Sequence, residues 1–105
     1  MADMIPNVYV APQLQDYMVS LAEATRRHSA ISLGVSPRAT LALQRVARAK
    51  AASLARTFVI DDDIKSVVSS VFSHRIILTP EAQLQAATPE STINQILGAV
   101  SVPGS

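Results

Sequence analysis

The residues best placed for chemistry are Ser36, Pro37 and Arg38. Serine is a strong helix N-cap and proline fits the first position inside a helix, so Arg38 is predicted to stand in a first helical turn. A helix N-terminus presents unpaired amides and positive potential, a setting that suits phosphate. An arginine in that turn opposes the usual preference for acids and costs roughly a few tenths of a kcal/mol when exposed. A bound anion reverses that balance. The competing reading is a solvated arginine lying over its neighbours, as surface arginines commonly do.

Other chemistries find less support. His28 and His74 are far apart in sequence, and no serine stands in a Gly-x-Ser-x-Gly elbow, so any Ser–His–Asp assignment would be arbitrary. The chain has no cysteine, which excludes disulfides, thiolate zinc sites and cysteine nucleophiles. Asp61-Asp62-Asp63 lacks the spacing and the glycine of a calcium loop. Phe58-Val59-Ile60-Asp61-Asp62 has the hydrophobic-then-acidic form of a magnesium-binding strand end, but that role needs a phosphate-binding loop. Gly34, Gly98 and Gly104 are the only glycines, so no such loop can be written. The run reads better as an extended entry into an acid-capped helix, and the chain alone is expected not to hydrolyse nucleotide.

The elements that must position these residues follow from periodicity and caps. A first helix is predicted from Pro12 to about His28, burying Leu14, Tyr17, Met18, Leu21 and Thr25 at three- and four-residue steps. Arg26, Arg27 and His28 then meet the negative end of its dipole. Gly34 falls in a turn. A second helix runs from Ser36-Pro37 to about Leu54, with Ala39, Leu43, Val46, Ala47 and Leu54 on one face. Arg38, Arg45 and Arg56 lie near its opposite face and Arg48 at the edge. A third helix begins at Asp61-Asp62-Asp63 and ends between Phe72 and His74, burying Ile64, Val67, Val68 and Val71 or Phe72. Arg75-Ile76-Ile77-Leu78 is read as extended, and Thr79-Pro80-Glu81 as a turn or a helix start. A last helix covers Pro89 to Ala99 with Thr88 as its cap. The fold class is therefore all-α: a small four-helix bundle with, at most, a minor short β pairing.

With 105 residues the chain can bury one core. Its formal net charge of +1 argues against a strongly basic nucleic-acid binder. No segment is long or apolar enough to span a membrane, and the N-terminus lacks the pattern of a secretory signal, so a soluble, cytoplasmic domain is expected. Residues 1–11, in which Pro6 precedes Val8-Tyr9-Val10, read as a linker from an upstream domain or as a loose terminus. Residues 12–101 form the helical domain and 102–105 a flexible tail.

A family pattern runs through these elements. Gly34-Val35-Ser36-Pro37-Arg38-Ala39 resembles the Gly-Ala-Ser-Pro-Arg-Ala signature that opens a lid helix in MoxR-type AAA+ ATPases. Ala24-Thr25-Arg26 is similar to the end of their preceding lid helix. Leu41-Ala42-Leu43 and Arg48-Ala49-Lys50-Ala51 resemble its alanine-rich continuation. Phe58-Val59 with Asp62-Asp63-Ile64 is similar to the aromatic-Val-x-x-Asp-Asp-Val run, and His74-Arg75-Ile76-Ile77-Leu78 to the His-Arg-hydrophobic run. The likeness covers roughly residues 8 to 102. Two departures stand out. Ala55-Arg56 replaces the family's Gly-Arg, which implies that the second helix runs on further, because alanine disfavours a left-handed terminus. Ile60-Asp61 replaces Thr-Pro, which implies that the cap shifts to Asp61.

The resemblance implies a lid that packs over ATP held, with magnesium, by a separate P-loop core. Arg38 matches the sensor 2 arginine, which reaches the ATP phosphates, with Ser36 and Pro37 beside it. No cofactor is expected on the isolated chain. Implied partners are the core in cis, neighbouring subunits of a homo-oligomeric ring, and client proteins, often with von Willebrand A domains, that a chaperone-like machine matures. The alternatives are a helical nucleic-acid-binding module using Arg38, Arg45, Arg48 and Arg56, and a protein-interaction bundle without a nucleotide role. The near-neutral charge and eight acidic residues weigh against the first.

Overall fold

The computed structural model describes residues 8–102. The chain forms α1 (Pro12–Arg27), β1 (Ile31–Leu33), α2 (Arg38–Ser53), α3 (Asp61–Phe72), a 3-10 turn (Ser73–Arg75), β2 (Ile77–Leu78), α4 (Pro80–Leu84) and α5 (Pro89–Ala99). The expected all-α bundle is present: four long helices, one short helix at Thr79-Pro80, and one small antiparallel pairing of β1 with β2. The expected linker 1–11 and tail 102–105 lie partly outside the described residues. Within the described part Val8 and Val10 are buried, and Val102 packs against the core.

α2 and α3 form the centre. α2 turns Ala39, Leu43, Ala47 and Ala51 inward at four-residue steps, and three of these four are alanines. Small side chains let the facing helix approach closely. α3 fills the space with Ile64, Val68, Val71 and Phe72. The inward face is narrower than the sequence suggests: Val46 and Leu54 lie at the surface and Ala51 takes the fourth position. α1 contributes Tyr17, Met18, Leu21, Ala22 and Thr25, and α5 contributes Thr92, Ile93 and Ile96. α5 has the cap expected of it. The Thr88 hydroxyl accepts from the Ser91 amide and the Ser91 hydroxyl accepts from the Thr88 amide, both at 3.0 Å.

The α2–α3 connection corrects three expectations. First, α2 does not run on. It ends at Ser53, and Ala55 adopts the left-handed conformation with φ 61°. The Arg56 amide returns to the Ala51 carbonyl at 2.9 Å and the Ala55 amide to Ala52 at 3.0 Å, the paired bonds of a Schellman terminus. That geometry satisfies the last carbonyls of α2, and its formation outweighs the cost of a Cβ in the left-handed region. Second, Arg56 leaves the arginine stripe altogether. It sits beyond the helix and forks onto Asp63, with Nη1 2.6 Å from Oδ2 and Nη2 2.7 Å from Oδ1. Third, the N-cap position of α3 is Ile60, and Asp61 is already helical. Asp63, which is 2% exposed, accepts the Ile60 amide at 2.9 Å from inside the first turn.

Upstream, Tyr9 pairs with Phe58 in a parallel bridge. The Tyr9 amide donates to Thr57 and the Val59 amide donates to Tyr9, both at 2.8 Å. This bridge seats Val8, Val10 and Val59 in the core while Tyr9 and Phe58 stay exposed. Val8-Tyr9-Val10 is thus held by a single isolated bridge to the α2–α3 connection.

The connection yields two predictions. Left-handed alanine costs about 1–2 kcal/mol, part of which glycine returns through the unfolded chain. Ala55→Gly should therefore stabilise the domain by about 1 kcal/mol, seen as a rise in melting temperature of roughly 4–8 °C. The second prediction concerns acid. The hydrogen-bonded Arg56 guanidinium, helped by the Ile60 amide, holds the Asp63 carboxyl below its ordinary range despite burial. A folded-state value below the unfolded one, which is about 3.9, contributes stability that is complete above that pH and is lost as pH falls towards the folded value. The urea midpoint should thus drop on acidification through about pH 4 and below. Arg56→Gln should start less stable at neutral pH and lose less over the same window, because Asp63 without the guanidinium has a less depressed value.

Candidate functional site

The corner that carries Arg38 is built from the end of α1 and the loop after β1. Thr25 is fully buried, and its hydroxyl donates to the Ala22 carbonyl at 2.6 Å while accepting the Val35 amide at 3.0 Å. This fixes the loop backbone to α1 where water cannot serve as a substitute partner. Gly34 lies directly against the helix. A Cβ at that position would stand 2.7 Å from Arg26 Cγ and 2.8 Å from both the Cα and the amide nitrogen of Arg26. Two of those atoms are backbone and cannot yield. Glycine is needed here for close approach, and the sequence reading of Gly34 as a turn residue captured only part of its role. Val35 is buried beside it.

From this anchored loop the chain turns into α2. Pro37 is already helical, with φ −56° and ψ −28°, and the Ser36 carbonyl accepts from the Ala39 amide at 2.9 Å. Pro37 is thus the N-cap residue and Arg38 the first residue of α2, one position later than the Ser36 cap and Pro37 first position expected from the sequence. Among the described residues no side chain caps the first-turn amides of α2. Ser36, Pro37 and Arg38 are all exposed.

Two clefts flank the corner. One, of about 530 Å³, is lined by Ser36, Arg38, Ala39, Leu41, Ala42, Arg45 and Arg75. The other, of about 550 Å³, is lined by Arg26, Leu33, Gly34, Val35, Ser36, Pro37 and Arg75. Neither lining includes an aspartate or glutamate, so four arginines gather round Ser36-Pro37 without a carboxylate among them. Such an arrangement attracts anions and offers planar forks to their oxygens. It offers nothing to a divalent cation.

Arg75 was not singled out from its spacing, although it stands in the His-Arg-hydrophobic run. β-Register explains its position. β1 and β2 are antiparallel with Leu33 opposite Ile77, so the residues after Leu33 run alongside those before Ile77. Arg75 is thereby delivered beside Ser36. Its Nη1 also donates to the Val71 carbonyl at 2.5 Å, at the end of α3.

The remaining candidates do not join this site. Arg56 is held by Asp63, and Arg48 lines neither cleft. The His28 ring accepts the Ala30 amide through Nδ1 at 3.0 Å, an ordinary turn contact after α1. His74 is exposed in the 3-10 turn. Among the described residues no group of three or more His, Cys, Asp or Glu side chains could hold a metal ion. No helix among them is long and apolar enough to cross a membrane.

A helical bundle whose second helix opens on an exposed, anchored Ser-Pro-Arg corner defines a class. The family model of the AAA lid domain matches residues 23–96. The chain belongs to the AAA lid domain family, in the branch of the MoxR-type AAA+ ATPases. It is 34% identical over 110 residues to the chaperone MoxR1 of Mycobacterium tuberculosis, covering 96% of this chain and 29% of that protein. It is 31% identical to the MoxR protein of Paracoccus denitrificans, covering 92% and 33% respectively. It is also 36% identical to the uncharacterised YeaC protein of Bacillus subtilis, covering 94% and 31%. A crystal structure at 2.00 Å of a protein provisionally assigned as an ATPase, from Cytophaga hutchinsonii, superposes with a TM-score of 0.89 at 33% identity, covering 95% of this chain and 33% of that one. The chain thus spans about a third of the length of the relatives it matches.

The packing of Gly34 gives a direct test. Gly34→Ala forces a methyl into the Arg26 backbone and should destabilise the domain by about 1–3 kcal/mol, the usual range for overpacking. Chemical denaturation checks this. An unchanged midpoint would mean that the loop does not lie against α1.

Proposed function

We propose that this lid covers ATP held by a P-loop core and supplies Arg38 to the phosphates as a sensor 2 arginine. The observation that carries the reading is the placement of Arg38. It stands exposed at the start of α2, on a corner anchored by Thr25 and Gly34, in a cleft lined without a carboxylate. Its fixed charge and planar fork fit phosphate oxygens and can stabilise charge on a transferring phosphoryl group. The absence of carboxylates from both cleft linings leaves magnesium to the core. Ser36 and Pro37 hold the corner rather than bind by charge.

The surroundings support a covered surface. Leu33 and Ile77 stand opposite each other on the β pairing and are both exposed, and Leu41 is exposed on α2 beside Arg38. Apolar side chains around a basic corner suit contact with another protein surface. On this reading that surface is the core in cis, joined through the segment up to residue 11, and nucleotide state is read out as rotation of the lid. The lid would work in a homo-oligomeric ring in the cytoplasm. On the same reading ATP turnover is coupled to maturation of client proteins, including those with von Willebrand A domains; the chaperone name of the mycobacterial relative supports the maturation role.

The test is Arg38→Ala in the complete ATPase. ATP turnover should fall by about a hundredfold or more, the scale seen when a transition-state donor is removed. The lid's melting temperature should stay within a few degrees of the parent's, because Arg38 is exposed. Turnover at the parental rate would remove the sensor assignment.

A further inference from the structure

We infer that Arg75 is a second anion-contacting residue, so that the lid grips a polyphosphate chain from both sides of the Ser36-Pro37 corner. The inference rests on the reading of Arg38 as a phosphate contact and extends it to a residue about forty positions away in sequence. Three observations carry it. Among the described residues, only Arg75 and Ser36 line both clefts, so Arg75 straddles the corner that Arg38 occupies on one side. Its backbone is fixed by buried neighbours, Ser73 and Ile76, and by the antiparallel register that follows. Its guanidinium spends Nη1 on the Val71 carbonyl, which orients the group while leaving further N–H donors on the fork. A linear polyphosphate has charged oxygens on successive phosphoryl groups. Two guanidinium groups set apart on one corner match such a chain better than they match a single tetrahedral ion.

The competing role for Arg75 is purely structural, as a cap on the last turn of α3. The two roles separate in a titration of this chain with sodium tripolyphosphate and, in parallel, with orthophosphate. Binding is followed by amide and guanidinium NMR shifts in low-salt buffer. Tripolyphosphate should perturb the amides of Ser36, Arg38 and Arg75. Arg38→Gln and Arg75→Gln should each weaken tripolyphosphate binding by about tenfold, as expected for loss of one charged hydrogen-bonding partner. Arg75→Gln should weaken orthophosphate far less than Arg38→Gln does. If Arg38→Gln weakens tripolyphosphate and Arg75→Gln does not, the role of Arg75 is overturned while that of Arg38 stands. If Arg75→Gln weakens both anions equally, Arg75 supplies only general charge and the two-sided grip is wrong. If neither anion perturbs the corner, the two-sided grip is overturned, while the role of Arg38 is decided separately by ATP turnover in the complete ATPase. Should Arg75→Gln lose its fold, Arg75→Lys carries the test, because it keeps a donor for Val71 but not the fork. A severalfold loss of tripolyphosphate affinity in that variant supports the grip, and parental affinity overturns it.

Discussion

The hydroxyl of Thr25 holds the loop that starts α2, and most of the functional geometry depends on that one buried side chain. It bonds the Ala22 carbonyl within α1 and the Val35 amide of the loop at the same time. Gly34 then lies against the Arg26 backbone with no room for a methyl group. Together these contacts set where α2 begins and therefore where Arg38 stands. The other end of α2 is fixed by a different device, the Schellman turn at Ala55 followed by the fork of Arg56 on Asp63. α2 is thus held at both ends, and its inward alanines pack against α3 without needing long side chains to locate them.

This arrangement explains why the recognisable segments occur together. Ala24-Thr25-Arg26 and Gly34-Val35-Ser36-Pro37-Arg38 are separate in sequence but meet through the Thr25 hydroxyl and the Gly34–Arg26 contact. Phe58-Val59 and Asp63 meet Tyr9 and Arg56 in the same way. Each segment is half of a contact. The arginines divide by the same logic. Arg56 is consumed by a buried carboxylate and serves the fold, while Arg38, Arg45, Arg26 and Arg75 line clefts without carboxylates. Type and spacing along α2 do not distinguish these roles; the partner does.

Helix positions were largely legible from the chain because their signals are local. Three- and four-residue apolar steps marked α1, α3 and α5, and Thr88-Pro89 marked the start of α5 to the residue. The Ser36-Pro37-Arg38 corner was legible for the same reason, since caps and first turns are written within a few residues. Periodicity placed the end of α2 at about Leu54, next to its last residue, but the run-on expected from Ala55 was wrong. Alanine has a local preference against a left-handed conformation, and the choice there was made by the carbonyls of α2 and by the bridge to Tyr9, which are set by packing.

Sequence alone therefore determined that this chain makes a small helical bundle and that Arg38 opens a helix, because periodicity, capping and proline geometry act over one or two turns. Tertiary structure alone decided which arginines remain free, that Gly34 must be glycine for contact as well as for turning, and that Arg75 stands beside Ser36. Those outcomes depend on buried hydrogen bonds, steric exclusion and strand register between segments far apart in the chain, and no local pattern encodes them.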